Sequence, residues 1–363
     1  MGTVGLLLDL IYLFLGFIIS LVLYPFWINF VYKFNLGESV RGDSPKTHRR
    51  KEGTPTMGGL VFVFSVALVS FIFNRSRTQT LFPLFVATLA GFLGILEDFT
   101  KVYKKSGLPG FLEYHLAGLF KKRSKGTGIF SRIFNSFKEF SRKVGSSESS
   151  GIQTYQKFIF QGIIAGFVSY WAYFKLGWDY IWFPLIGDVH VGFLYPIIIF
   201  ILFITILNSV AFTDGLDGLA GGLSLISLIT FWVLSRVLEF NSLASFCATF
   251  VGALIPFMYF NVFPARIFMG NVGSHALGAI LAVLSVVLHR EVAFLFIGAV
   301  FLVDGISSPL QQLIYAKTKK RLFRMAPLHH HFEMLGWPET KITLRFYLFG
   351  IFFAFAGLFV ALL

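Results

Sequence analysis

The chain has 363 residues, of which 56% are hydrophobic and only 13% are charged, and its formal net charge is +13. Soluble domains carry about a quarter charged residues, so this composition excludes an ordinary soluble protein, and continuous apolar runs exclude a β-barrel. We therefore predict an all-α polytopic membrane protein, whose positive charge marks cytoplasmic loops rather than a nucleic-acid partner.

Ten apolar segments predict membrane spans, which need about 20 apolar residues, or fewer where helices pack internally. The first lacks a basic segment before it and a small-residue cleavage site after it, so we interpret it as a retained span. Cys247, the one cysteine, lies inside an apolar run and is interpreted as a small buried hydrophobe. In chain order the segments are 5–32, 58–74, 81–99, 157–175, 193–212, 219–238, 243–260, 273–289, 292–314 and 343–363.

Lysine and arginine residues concentrate in the loops that follow the first, third and ninth predicted spans. Because basic loops stay in the cytoplasm, the odd-numbered loops are predicted to be cytoplasmic and both termini to lie outside. Arg75 and Arg77, in the second loop, are a mild exception.

Five polar clusters also lie in odd-numbered loops. Clusters that merely ended helices would fall on both sides of the membrane, whereas these all fall on one side. The pattern predicts an active site on the cytoplasmic face. The clusters read HRRKEGTPTMGG, LEDFTKVYKK, TDGLDGLAGG, FNVFPARIFMGNVGS and RMAPLHHHFE.

Two other segments carry structural signals. The stretch WFPLIGDVHVG, at 182–192, alternates around a turn signal and predicts a small external β-hairpin. In 106–150, apolar residues recur at helical spacing between basic ones, which predicts an amphipathic helix on the inner leaflet. A partly disordered basic linker is the alternative. We interpret 1–363 as one integral membrane domain that carries 106–150 as a basic cytoplasmic insertion.

Asp214 and Asp217 stand in the glycine-rich TDGLDGLAGG cluster between two apolar runs. An ionised Asp near a bilayer must be solvated, paired or metal-bound. If a helix begins near them, their spacing places both carboxylates on nearly the same face. Gly215 and Gly218 leave room for a backbone or a phosphate to approach. The alternative is that one Asp only caps that helix, a position where Asp is favoured.

Glu97 and Asp98 end the third predicted span, and adjacent carboxylates repel unless a cation lies beside them. Magnesium prefers oxygen ligands and often joins one or two carboxylates to substrate phosphates. The nearby Lys101 and Lys105 can neutralise phosphate oxygens. The combination favours phosphoryl transfer, in which catalysis is mainly positioning and charge neutralisation. The sequence has no GxxxxGK[ST] motif, which excludes a P-loop enzyme.

His329, His330 and His331 form a run that we interpret as part of a loop. Three consecutive histidines cannot all face one metal from a helix, and no HExxH motif is present, so zinc is not favoured. Contacts to phosphate or sugar by one or two of them fit better.

These motifs together resemble the phospho-N-acetylmuramoyl-pentapeptide transferases of the polyprenyl-phosphate N-acetylhexosamine-1-phosphate transferase superfamily. GTPTMGG, TDGLDGLAGG, FNVFPARIFMG and RMAPLHHHFE match in order, and the resemblance covers nearly the whole chain except 106–150. It implies a single transferase domain in the bacterial cytoplasmic (inner) membrane, typically a homodimer. The implied reaction transfers phospho-N-acetylmuramoyl-pentapeptide from its UDP-linked precursor to undecaprenyl phosphate, giving lipid I and UMP in peptidoglycan synthesis, with Mg²⁺ as the cofactor.

The resemblance also implies residue roles by matching position. The implied magnesium ligands are Asp98, Asp214 and Asn271, and Phe268 is implied to stack on the uracil base. The implied catalytic residues are Glu97, Asp98, Asp214, Asp217 and His329. Further substrate contacts are expected from Lys51, Lys101, Lys105, Asn208, Gly215, Asn261, Phe268, Gln311, His330 and His331.

Several positions depart from the family's pattern. Asn271 stands where a magnesium-binding Asp is usual, and Glu97 replaces the first Asp of the acidic pair. Ala211, His275 and Asp304 stand where Asn, an apolar residue and Glu are usual. Asn271 and Ala211 keep open a weakly active or inactive relative that binds lipid or nucleotide. Transfer of a different UDP-sugar also stays open, although the histidine run argues against it. A transporter is not favoured, because it would need polar residues in mid-span, whereas the carboxylates here lie at the ends of the predicted spans.

Overall fold

A computed structural model of the protein describes residues 2–34, 36–37, 51–106 and 154–363, with the side chains of 101–106 and 154 outside the description. The predicted insertion at 106–150 lies almost entirely outside the described residues, so its amphipathic helix stays a prediction.

The described ranges form α-helices joined by short turns. Two π-helical turns, Arg77–Leu81 and Trp171–Lys175, and one 3₁₀ turn, Gly192–Leu194, flank them. The helices are α1 Gly2–Lys33, α2 Gly59–Phe73, α3 Phe82–Ser106, α4 Thr154–Tyr170, α5 Tyr195–Thr213, α6 Leu219–Val237, α7 Asn241–Asn261, α8 Gly270–Val287, α9 Glu291–Ile297, α10 Ala299–Thr318, α11 Leu328–Met334 and α12 Glu339–Leu362.

A helix occurs at each of the ten predicted spans, but the count of ten is not confirmed. Within the described residues, 7 helices are long and apolar enough to cross a membrane, or 8 if α9 and α10 form one span. Those two helices meet at Gly298 with a bend of 83°. The 15 residues of α2 extend only about 22 Å at the helical rise, which is less than the thickness of a bilayer core. The chain is a multi-pass membrane protein, and the orientation of its termini stays a prediction.

The core of the bundle is built around α8. Within its apolar window 89% of the residues are buried, against 17% in α1, which lies at the periphery. Because α8 is enclosed by other helices, its first residues, beginning at Gly270, are held in a fixed place at one end of the bundle.

The predicted hairpin is confirmed, with its first strand starting slightly earlier than the sequence pattern indicated, while its external location stays a prediction. Strands β1 Tyr180–Phe183 and β2 Gly187–His190 pair antiparallel, with Tyr180 opposite His190. The hairpin lies beside the end of α8, because the His289 ring stacks on Tyr180 at 4.6 Å between centroids. It therefore marks the end of the bundle opposite to Gly270.

Candidate active site

Loop segments that are far apart in sequence meet at the end of the bundle where α8 begins. Residues 55–59 and 267–269 run side by side: the Gly58 N–H donates to the Phe268 carbonyl at 2.8 Å, and the Phe268 N–H donates to the Pro55 carbonyl at 2.7 Å. Side-chain contacts join the start of α8 to α3, join Lys51 and Asn261 to the α5–α6 turn, and join that turn to α11. The predicted convergence of the polar clusters is therefore observed, while the face of the membrane on which they lie stays a prediction.

Glycines bring α2 and α3 very close to the first turns of α8. A Cβ atom built at Gly94 would lie 2.2 Å from the backbone oxygen of Asn271, and one built at Gly59 would lie 2.1 Å from Gly273 Cα. Small residues allow such close helix packing inside a membrane. Since Asp98 lies one turn beyond Gly94, the packing places its carboxylate against the start of α8.

Asp98 is buried and is oriented by the first residues of α8. Its Oδ1 accepts a hydrogen bond from Asn271 Nδ2 at 2.8 Å, and its Oδ2 accepts one from the Val272 N–H at 3.2 Å. The partial positive charge at a helix N-terminus also stabilises a carboxylate. Asn271 and Asp98, both predicted metal ligands, therefore contact each other. Asn271 uses its amide nitrogen, which is a hydrogen-bond donor and does not bind metals.

Glu97 is adjacent to Asp98 in sequence but has different partners. The Lys157 ammonium lies 3.1 Å from Glu97 Oε2, and His275 Nε2 lies 4.0 Å from the same oxygen. The cation beside this acidic pair in the structure is thus a lysine from the start of α4, which the sequence analysis did not single out.

Lys51 joins two carboxylates from different parts of the chain. Its Nζ lies 2.7 Å from Asp217 Oδ1 and 2.6 Å from Glu339 Oε1, at the start of α12. Burial acts to lower the pKa of Lys51, and the attraction of Asp217 and Glu339 outweighs it, so the pKa is raised above its ordinary value. Lys51 therefore stays positively charged and holds the loop of residue 51 onto the α5–α6 turn.

Asp214 and Asp217 lie in the turn between α5 and α6. The helix α6 begins only at Leu219, and its N-cap is Gly218, with φ of +78°. The capping alternative is therefore wrong, and the two aspartates precede the helix instead of sharing one of its faces. Asp217 is buried, and its carboxylate is paired with Lys51 and accepts a hydrogen bond from the Ala265 N–H at Oδ2, at 3.0 Å. Asp214, by contrast, is partly exposed at the site.

The three histidines lie on the short helix α11, so the interpretation as a loop is wrong. His330 Nδ1 lies 2.6 Å from Glu333 Oε2, and His331 Nδ1 accepts a hydrogen bond from the Arg324 N–H at 3.1 Å. These two rings are engaged within the same segment, and their contacts to a substrate stay predictions.

His329 is the histidine that reaches the site. Its ring is fully buried, and Nδ1 lies 2.8 Å from Asp304 Oδ2, while its backbone N–H donates to Asp304 Oδ1 at 2.9 Å. A Cβ atom built at Gly215 would lie 2.3 Å from His329 Nε2. The space that Gly215 was predicted to leave for phosphate is therefore occupied by the edge of the His329 ring.

Asn261 and Phe268 differ in burial and in the contacts that they make. The buried Asn261 amide donates to the Ile267 carbonyl at 2.8 Å and accepts from the Gly218 N–H at 3.0 Å, so it ties two loops together. Phe268 is partly exposed, and its ring centroid lies 6.0 Å from Lys51 Nζ. Stacking of a base on Phe268 and contact of Asn261 with a nucleotide stay predictions.

Asn208 and Gln311 are also engaged within the protein. Asn208 Nδ2 donates to Gln161 Oε1 at 2.9 Å, in a pairing between α4 and α5. Gln311 Oε1 accepts a hydrogen bond from the Phe323 N–H at 2.7 Å. Lys101 and Lys105 lie on the last turns of α3, and their side chains fall outside the description.

A divalent cation fits this site only in part. In the described part of the chain, no three His, Cys, Asp or Glu side chains gather where they could hold a metal ion. Magnesium is usually bound through one or two carboxylates together with substrate phosphates, so no closed protein cage is required. The binding of a cation by the carboxylates of Asp98 and Asp214 therefore stays a prediction.

Comparison with known proteins gives one consistent result. A family profile described as Glycosyl transferase family 4 matches residues 148–289, and a Phospho-N-acetylmuramoyl-pentapeptide-transferase signature matches residues 51–63. A protein of that name from Clostridium perfringens (strain 13 / Type A) is 33% identical over 94% of this chain and 95% of its own length. A namesake from Latilactobacillus sakei subsp. sakei (strain 23K) is 34% identical over 93% of both chains, and one from Geobacillus sp. (strain WCH70) is 32% identical over 95% of both.

The chain belongs to the phospho-N-acetylmuramoyl-pentapeptide-transferase family. The family's signature segment, 51–63, is the one that supplies Lys51 to Asp217 and Gly59 to the packing against α8. Within this transferase family member, sequence reasoning missed Lys157 and Glu339. Neither stands in a recognisable motif, and only the approach of α4 and α12 in space brings them to the site.

Proposed function

We propose that this protein transfers phospho-N-acetylmuramoyl-pentapeptide from its UDP-linked precursor to undecaprenyl phosphate. A phosphate oxygen of the lipid attacks the phosphorus attached to the sugar, the bond from that phosphorus to UMP breaks, and lipid I and UMP are the products. The observation that supports this most is the meeting of Asp98, the α5–α6 turn, Lys51 and His329 at one end of a helix bundle whose outer surface is apolar.

The arrangement suits a phosphate donor and a lipid acceptor that enter from different surroundings. Exposed phenylalanines and leucines on α1 and α12 face the lipid, in which a polyprenyl chain dissolves. Lys51 and Phe268 offer a charge and a ring on the loop side, where a nucleotide diphosphate would enter. Phosphoryl transfer needs mainly positioning and neutralisation of charge, which buried and oriented polar groups provide.

Magnesium is part of the proposal. Asp98 and Asp214 would hold the ion with the diphosphate, and Asn271 would contribute its amide oxygen after its side chain turned. When bound, the ion would supply neutralisation of the charge that develops on the leaving UMP. The inner bacterial membrane as location, cytoplasmic loops around the site and a homodimer complete the proposal.

The direct test is release of UMP by purified protein supplied with magnesium, UDP-N-acetylmuramoyl-pentapeptide and a polyprenyl phosphate. We expect release above a heat-treated control, and a labelled lipid product in equal amount. Parallel reactions with UDP-N-acetylglucosamine and UDP-N-acetylgalactosamine test transfer of another sugar. Absence of release with every donor would favour the weakly active or inactive relative, for which the Asn271 contact with Asp98 is the structural argument.

A further inference from the structure

Asp304 and His329 form a buried pair with one polar atom left over. Both side chains are almost fully inaccessible, at 1% and 0% exposure, and two hydrogen bonds join the Asp304 carboxylate to the Nδ1 and the backbone N–H of His329. His329 Nε2 is buried and has no hydrogen-bond partner among the residues that the structure describes. It faces the Gly215 backbone, one residue from Asp214.

The protonation of the ring follows from these contacts. A carboxylate at Nδ1 can only accept, so Nδ1 carries the hydrogen. A hydrogen on Nε2 would also make the ring cationic and would bury a charged donor without an acceptor, which is more costly than burying a lone pair. The neutral ring with Nδ1–H and a bare Nε2 therefore satisfies the surroundings best.

We propose that Asp304 is a positioning residue that holds His329 in the Nδ1–H form, so that Nε2 accepts a hydrogen bond from a sugar hydroxyl or a peptide N–H of the donor substrate. An ionised diphosphate offers no hydrogen to such an acceptor, so Nε2 is not directed at the phosphates, and the ribose hydroxyls and the uracil N–H of the nucleotide are the competing donors that the binding test separates. Entry of the sugar hydroxyl or peptide N–H requires the Gly215 turn to move away from the ring, because a Cβ atom built at Gly215 would lie 2.3 Å from Nε2. This inference rests on the proposed function, because it names the part of that substrate which His329 recognises.

The ring state can be measured without any activity. Protein labelled with ¹⁵N-histidine is compared with His329→Gln, which assigns the His329 signals among the 8 histidines of the chain. We expect a protonated Nδ1 and a bare Nε2 in the wild type, a mixture of ring forms in Asp304→Asn, and recovery in Asp304→Glu. A protonated Nε2 in the wild type, or identical spectra in Asp304→Asn, would overturn the inference.

Binding separates the sugar–peptide part from the nucleotide part. UMP contains the base, the ribose and a phosphate but neither the amino sugar nor the peptide. We expect His329→Gln to raise the KM for the donor substrate about tenfold, as for loss of one hydrogen bond, and to leave the affinity for UMP unchanged. An equal loss of UMP affinity would place His329 on the base, the ribose or the phosphate of the nucleotide and contradict the proposal.

Double substitution tests whether Asp304 acts through His329. We expect Asp304→Asn to lower kcat/KM about 10- to 100-fold, as for other partners that orient a functional histidine, and to add almost nothing in the His329→Gln background. Independent, additive losses would indicate a merely structural role for Asp304. The chain supplies a matched control, since Asp179 and His190 form an exposed pair at 3.0 Å on the hairpin. Asp179→Asn should leave the kcat/KM for the donor substrate and the protonation of the His329 ring unchanged.

The two proposals fail in distinguishable ways. If the wild-type protein releases no UMP, the proposed function is contradicted, while the ¹⁵N spectra still decide the state of the His329 ring. Normal UMP release with a protonated Nε2 sinks only the inference about Asp304 and His329.

Discussion

Buried aspartates at the two ends of the bundle are neutralised in different ways. At the hairpin end, Asp9 of α1 is fully buried and is held by Arg236 and Trp232 of α6 and by Ser245 of α7, all of them within regular helices. At the site end, Asp217 is held by Lys51 and by the Ala265 N–H, both from loops. Partners fixed in helices form a permanent link, whereas partners on loops can rearrange when a substrate enters. The first pair therefore stabilises the fold, and the second is suited to function.

The Asp9 link should have the largest effect on folding. Asp9→Asn leaves the Arg236 guanidinium facing a neutral amide in a buried place, and loss of one partner of a buried ion pair costs about 3–5 kcal/mol. We expect thermal unfolding of the purified protein at a clearly lower temperature. The double variant Asp9→Leu, Arg236→Met should recover most of the loss, since it leaves no buried charge. If the double variant unfolds as early as Asp9→Asn, the ion pair does not carry the effect. Glu239→Gln, at an exposed position, serves as the control.

Asp98 should show the opposite behaviour. Asp98→Asn and Asp214→Asn keep the size of the side chain but remove the charge that the proposed function assigns to the transfer reaction. We expect UMP release to fall at least ~100-fold, the loss typical for a group that stabilises transition-state charge, with little change in thermal stability. Asp188→Asn, exposed on β2, is the control with the same chemical change. Rates close to those of the wild type would remove Asp98 and Asp214 from the catalytic site.

Lys51 allows the loop-held pair to be measured through pH. Lys51→Met removes charged hydrogen bonds to Asp217 and Glu339, for which we expect a loss of about 1.5–3 kcal/mol in the free energy of unfolding. Because the pKa of Lys51 is raised in the folded state, its contribution is complete below the unfolded-state pKa and is lost as the pH rises through the folded pKa.

The stability difference between wild type and Lys51→Met should therefore stay constant from about pH 6 to 9 and shrink above the ordinary lysine pKa of 10.5. Lys175→Met, at an exposed position, should show no such difference. A difference that already disappears near neutral pH would mean that another group carries it.

Asn271 should give the smallest effect and the most specific one. Asn271→Asp replaces the amide that donates to Asp98 with a second carboxylate, so the variant should need a cation to relieve the repulsion. We expect the magnesium concentration for half-maximal UMP release to fall about threefold to tenfold, since hard cations bind by charge count. Thermal stability in a chelator should fall at the same time. A higher magnesium requirement would show that residue 271 does not face the ion.

Much of the fold could be predicted because membrane helices are long apolar runs and polar loops are conspicuous between them. The hairpin followed from alternation around Gly187, and the meeting of the polar clusters followed from their parity. The number of spans could not be predicted, because hydropathy does not show that a helix is broken at Gly298 or that α2 is short. The helical state of the histidine run was also missed, since a segment of 7 residues carries little periodicity.

The site was less predictable than the fold. Asp98, Asp214 and His329 stand in conspicuous polar clusters, so the sequence singles them out before any family resemblance is considered. Lys157 and Glu339 stand in no motif, and nothing local pairs them with Glu97 and Lys51. Likewise, the sequence indicates that Gly215 leaves room for a backbone or a phosphate, but it does not show that a histidine ring takes the space.

The near-contact of Gly94 with the Asn271 backbone has a practical consequence for genetics. A methyl group at residue 94 would push α3 away from α8. It would lengthen the distance between the Asp98 carboxylate and the Asn271 amide without changing either residue. Random mutagenesis for inactive alleles should therefore recover alanine or serine at this intramembrane glycine. Such alleles would have the phenotype of a variant that lacks Asp98, although Asp98 is still present in the chain.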